Sequence, residues 1–155
     1  MKICPNHNPL CDIKFQRATK DDHDSIVSFL EITFPHMRDQ IPFWNRYIAS
    51  HGDNFLLKDS ENRIKGYVSI ENIDNIGNVN FIAIDPQFQG DGMGSKLLSV
   101  AETKMETDEY RLHTEGNKMQ NLIFYNKNGW TIYEVDPNGY EHTTAVEFRK
   151  KKKVQ

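Results

Sequence analysis

The chain has 155 residues, enough for one ordinary domain with a real core; 37% are hydrophobic, 26% are charged, and nine Phe, six Tyr and two Trp are among them. This balance excludes a disordered chain. No apolar run reaches the roughly 18 residues of a membrane-spanning helix, and a formal net charge of −3 argues against broad electrostatic binding of nucleic acid.

Residues 1–11 read as a peripheral leader. MKICPNHNPLCDIKF lacks the apolar stretch and small-residue cleavage site of a secretory signal, so the chain reads as cytoplasmic. Cys4, His7 and Cys11 supply three ligands with no second cluster, so no metal is expected and the two thiols read as free. DIKFQRAT alternates at Ile13 and Phe15, as a first strand does. Thr19 and Asp22 stand at capping-box spacing ahead of Ile26, Val27, Phe29 and Leu30, the apolar stripe of a helix that Pro35 ends. HMRDQIPFWNRYIASHG predicts a second helix, broken by Pro42. NFLLKD and RIKGYVSIEN are strands joined by the turn SEN, and NVNFIAIDP is a fourth strand stopped by Pro86.

A glycine-rich turn follows, then a helix from about 92 to 107 with Leu97, Leu98, Ala101 and Met105 on one face. YRLHT predicts a fifth strand, NKMQNLIFYNKN a helix with Gly129 as its C-cap, and WTIYEV and HTTAVEF a closing antiparallel pair. RKKKK at 149–153 reads as a solvated basic tail. The order β-α-α-β-β-β-α-β-α-β-β describes an α/β (α+β) mixed sheet with helices on its faces, in one domain covering 1–155.

The turn QGDGMGSK is the informative stretch. Gly90, Gly92 and Gly94 fall at every second position where a strand passes into a helix. The first N–H groups of a helix lack intrahelical acceptors, the helix dipole adds about half a positive charge there, and missing Cβ atoms let an anion approach the amides. The residues therefore point to a phosphate-bearing ligand. The Walker spacing G-x4-G-K-[ST] is absent, and G-x-G-x-G departs from the G-x-G-x-x-G dinucleotide fingerprint.

IDPQFQGDGMGSKLL resembles the acyl-CoA-binding motif of the GCN5-related N-acetyltransferases (GNAT), [QR]-x-x-G-x-[GA] after a strand ending in V-x-P. Gln89, Gly92 and Gly94 take the key positions and Ile84-Asp85-Pro86 the strand end. IKFQRATKDDHDSIVSFL resembles the family's first strand and helix, NFLLKDSENRIKGYVSI its second and third strands, and FYNKNGW its last helix and the following strand. The resemblance covers roughly residues 12–148.

The resemblance implies a mostly antiparallel sheet with helices on both faces, and a transferase that moves an acyl group from acetyl-CoA to a primary amine by direct attack in a ternary complex. It implies that backbone amides of Gln89, Gly90, Asp91, Gly92, Met93, Gly94 and Ser95 hold the CoA pyrophosphate. Ile82, Ala83 and Ile84 would pair with the pantetheine arm, and the Ile84 amide would hold the thioester carbonyl. Tyr125 matches the tyrosine that protonates, or hydrogen-bonds, the departing thiolate.

The chain departs from the pattern in two respects. Where the family has an asparagine seven residues before that tyrosine, this chain has Lys118; Asn121, on the same helix face as Tyr125, is the alternative contact to the cofactor, and Lys118 reaches a phosphate or solvent. The family's strand base positions hold Asn78 and Asn80, which cannot accept a proton, so Glu71, His113 or solvent must do so. Phe34, His36, Met37, Phe43, Trp44 and Tyr47 either floor an acceptor pocket or belong to the core. The partners expected are a small-molecule or peptide amine and, from the family, a second copy of the chain; neither nucleic acid nor membrane is expected. The alternative function is a non-catalytic acyl-CoA-binding or regulatory module of the same fold, which the missing strand base and Lys118 leave open.

Overall fold

The computed structural model describes residues 12–41, 52–90, 92–140 and 143–153. Seven strands are hydrogen bonded in one mixed, mostly antiparallel sheet in the order β1-β2-β3-β4-β5-β7-β6. They are β1 (Lys14–Arg17), β2 (Asp53–Lys58), β3 (Ile64–Ile73), β4 (Ile76–Ile84), β5 (Glu109–Glu115), β6 (Thr131–Tyr140) and β7 (Thr143–Lys151). The helices among the described residues are α1 (His23–Thr33), α2 (Met93–Lys104) and α3 (Met119–Lys127). The chain divides into two compact units, one of residues 1–69 and 81–98, the other of 70–80 and 99–155.

In the first unit, β1 and β2 pair antiparallel from Lys14↔Lys58 to Arg17↔Phe55. The Thr19 amide donates to Asp22 Oδ2 at 2.8 Å, which fixes the turn ahead of α1 as the Thr19–Asp22 spacing predicts. The other oxygen of Asp22 takes Lys58 Nζ at 2.8 Å, tying the helix start to the end of β2. The apolar stripe of α1 does what its spacing predicts: Ile26, Phe29 and Leu30 are buried against Leu56, Tyr67, Ala83 and Ile41. The helix ends at Thr33, and Pro35 opens a 3-10 turn, Pro35–Met37. Residues 36–40 are therefore not α-helical, Ile41 is helical as expected, and residues 42–51 of the expected second helix lie outside the described residues, Phe43, Trp44 and Tyr47 among them. Phe34 packs edge-on to Phe81 at 5.4 Å, a core contact.

In the second unit, Asp74 and Asn75 both take positive φ (54° and 65°), the geometry of a two-residue hairpin turn with the right twist for flanking strands. The third strand lies one residue later than expected and the fourth starts two residues earlier, at Ile76, so that they turn directly into each other. Gly77 lies so close to Met105 and Thr107 that a Cβ would meet the Met105 sulfur at 2.7 Å. β4 pairs parallel with β5 through Gly77↔Tyr110, Asn78↔Arg111 and Val79↔Leu112. β5 pairs antiparallel with β7, and β7 with β6.

β6 runs past the expected end at Val135, through Pro137 to Tyr140. As the edge strand it tolerates a proline, and its register shifts between Asp136 and Tyr140. α2 ends at Lys104, three residues earlier than expected. Gly129 has φ 87° and closes α3, as expected of a C-cap.

Candidate active site

The glycine loop belongs to the first unit. Gly90 and Gly92 have φ of 95° and 77°, the left-handed region that side chains disfavour. A Cβ built on either would find no atom within 4 Å, so both positions face open space. Gly94 differs: it is inside α2 and needs no special backbone. Asp91 lies outside the described residues.

The first helical bond of α2 runs from the Lys96 amide to the Gly92 carbonyl at 3.1 Å. Among the described residues no side chain caps the amides of Met93, Gly94 and Ser95, and a glycine at the cap position has no oxygen to do so. Those donors point from the open end of a twelve-residue helix whose buried Met93, Leu97 and Leu98 hold it in place. An uncapped helix start of this kind can accept an anion, and the missing Cβ atoms leave room for one.

β4 delivers the chain to that loop. Ala83 is buried in the core, while Ile82 and Ile84 are half-buried. Gly66 on β3 lets the layer close: a Cβ there would meet Leu57, Ile84 and Leu97 at 3.1–3.3 Å. Gln89 turns back, its Nε2 donating to the Ile84 carbonyl at 3.4 Å.

The other candidates lie in the second unit. Tyr125 is buried on α3, its ring 5.5 Å from Phe148 and 5.3 Å from Phe124. Burial pushes its phenol up to about 12, and Tyr140 adds to the rise. Asn121, one turn earlier, is exposed and donates to Thr114 Oγ1 at 3.3 Å. Lys118 stands at the N-terminal end of α3, its ammonium 4.0 Å from Glu115. Glu71 accepts the Asn80 amide at 2.8 Å, and Arg111 donates to Asn78 at 2.7 Å. The asparagines therefore serve as links in a polar lattice.

His113 Nε2 is 3.0 Å from Glu147, whose other oxygen takes Arg149 at 2.8 Å. No group of three or more His, Cys, Asp or Glu among the described residues could hold a metal, and Cys4, His7 and Cys11 lie outside them. No helix among the described residues is long and apolar enough to cross a membrane.

A family model described as an acetyltransferase (GNAT) domain matches residues 50–132, more than half of the chain. The chain belongs to the GNAT acetyltransferases. No curated protein matches it.

Solved structures share the fold at low identity. A GNAT acetyltransferase from Bacillus cereus is 21% identical, with TM-score 0.76, over 92% of this chain and 99% of that one. The ribosomal-protein-S18-alanine N-acetyltransferase of Escherichia coli is 14% identical, with TM-score 0.77, over 88% and 92%. A spermidine/spermine N-acetyltransferase from Vibrio cholerae, solved with manganese ions, is 14% identical, with TM-score 0.70, over 90% and 92%. At these identities the likeness is one of fold.

The sequence reading of this GNAT chain missed how its loop is anchored. Lys65, on β3, reaches Asp85 and Phe88 at the entrance to the glycines. Aspartate just before proline is a turn signal that could have marked Asp85. No local pattern marks Lys65, which stands twenty residues away.

Proposed function

We propose that the chain is an acetyl-CoA-dependent N-acetyltransferase acting on a primary amine by direct attack in a ternary complex. The observation that carries this reading is the glycine loop, with left-handed, open Gly90 and Gly92 running into the uncapped amides of α2. Acetyl-CoA supplies an activated thioester. Amides from Gln89 to Ser95 bind its pyrophosphate, with Asp91 included from the family pattern. The main chain of Ile82, Ala83 and Ile84 pairs with the pantetheine arm as an added strand would. The Ile84 amide holds the carbonyl oxygen as negative charge develops on it, and Asn121 offers a side-chain amide to the cofactor.

Tyr125 serves the leaving sulfur. A phenol raised to about 12 stays protonated throughout the physiological range. A thiol of ordinary pKa near 8.5 is the stronger acid, so Tyr125 acts chiefly by donating a hydrogen bond to the thiolate. Glu71, oriented by Asn80, accepts the amine proton through water, with His113 as the second candidate. The acceptor is a small-molecule or peptide amine and the protein acts in the cytoplasm.

The test is release of free CoA thiol, measured with acetyl-CoA against a panel of alkylamines, polyamines, amino acids and peptide N-termini. Amine-dependent release with at least one class is expected. Tight CoA binding without release for any class would favour the non-catalytic module.

A further inference from the structure

A backbone cradle binds an anion well only if its amides converge before the anion arrives, because ordering them on binding subtracts from affinity. Glycines make this harder, since they lose the most conformational freedom on becoming fixed. The order of the loop must therefore be imposed from outside it. On the C-terminal side, the buried Met93, Leu97 and Leu98 of α2 do this.

On the N-terminal side one lysine makes the contacts. The Lys65 carbonyl accepts the Asp85 amide at 2.9 Å. Its ammonium lies 3.3 Å from Asp85 Oδ2 and 5.0 Å from the centre of the Phe88 ring. The other oxygen of Asp85 accepts the Gln87 amide at 2.9 Å. A single side chain thus grips both ends of the 85–88 turn, the four residues that carry the chain from β4 to Gln89 and Gly90. The lysine and aspartate side chains are 12% and 20% exposed, so solvent screens the pair only weakly. The cation also lies over an aromatic face, a contact that strengthens when desolvated.

We infer that Lys65 is a positioning residue for the phosphate cradle: through Asp85 and Phe88 it holds the turn that sets where the amides of Gln89 and Gly90 point ahead of α2. Asp85 neutralises its charge, so its part is to hold the turn. This rests on the acyl-CoA reading above.

The experiment measures CoA binding by calorimetry and amide hydrogen exchange of residues 87–92 in the full chain, for wild type, Lys65→Met, Lys65→Arg and Asp85→Asn. Lys65→Met and Asp85→Asn are expected to bind CoA at least tenfold more weakly and to exchange these amides several-fold faster without ligand. Lys65→Arg, which keeps the charge and the stacking, should recover most of both. If Lys65→Met fails to fold, Phe88→Leu, which removes only the ring under the ammonium, should weaken binding two- to threefold and speed the same amides. CoA affinity at the wild-type level in the folded variants would overturn the proposal and leave the acyl-CoA reading standing. A wild-type chain that does not bind CoA would overturn both.

Discussion

Tyr125 is the residue on which the proposed side-chain chemistry rests. Its ring is packed against Phe124 and Phe148, and its hydroxyl makes no hydrogen bond with any described residue. A buried phenol whose hydroxyl no described residue engages has its donor available for a ligand. Tyr125→Phe keeps the packing and removes that donor. Turnover is expected to fall by tens-fold while CoA affinity changes little, as steady-state kinetics beside calorimetry would read. An unchanged rate would assign the tyrosine to packing. At this scale the sequence was clear where chemistry forces a residue type: Gly90 and Gly92 need φ values other residues disfavour, and that need shows as glycine. Lys65 could not be seen, because a lysine on a strand has no signature until the fold brings Asp85 and Phe88 to it.

Between elements, the ion pair of Asp22 and Lys58 ties the start of α1 to the end of β2. Both side chains are close to nine-tenths buried, so each charge depends on the other. The hydrogen bond from Lys58, with one from the Thr19 amide, holds the Asp22 carboxyl below its ordinary 3.8. A carboxyl whose folded pKa is depressed contributes stability that is present above 3.8 and lost as pH falls through its lower folded value. Asp22→Asn leaves Lys58 buried without its anion, and urea denaturation at pH 7 should show a loss of about 3 kcal/mol. The same variant should lose less stability than wild type as pH falls below 3.8.

Elements marked by capping and periodicity, such as α1, were legible in the sequence. The β3–β4 hairpin was not. Its Asp-Asn turn lies between residues that alternate too weakly to reveal how far each strand extends. The length of β6 was also hidden, because Pro137 reads as a stop and only an edge position makes it tolerable.

For the whole molecule the central claim is that an acyl-CoA is the ligand the glycine loop serves. The family and the succession of strands along the chain were readable because several weak signals fell in the right sequence along one chain. The amine acceptor was not readable, since its pocket depends on surfaces no motif encodes. The most direct measurement is a thermal shift of the purified protein with acetyl-CoA, CoA, ATP and NAD side by side. At one hundred times its dissociation constant a ligand adds about 2.7 kcal/mol, which is a rise of roughly 5–10 °C for a chain of this size. Stabilisation by acetyl-CoA and CoA, well beyond any by ATP or NAD, is the predicted result; no shift with either CoA species at millimolar concentration would contradict the account.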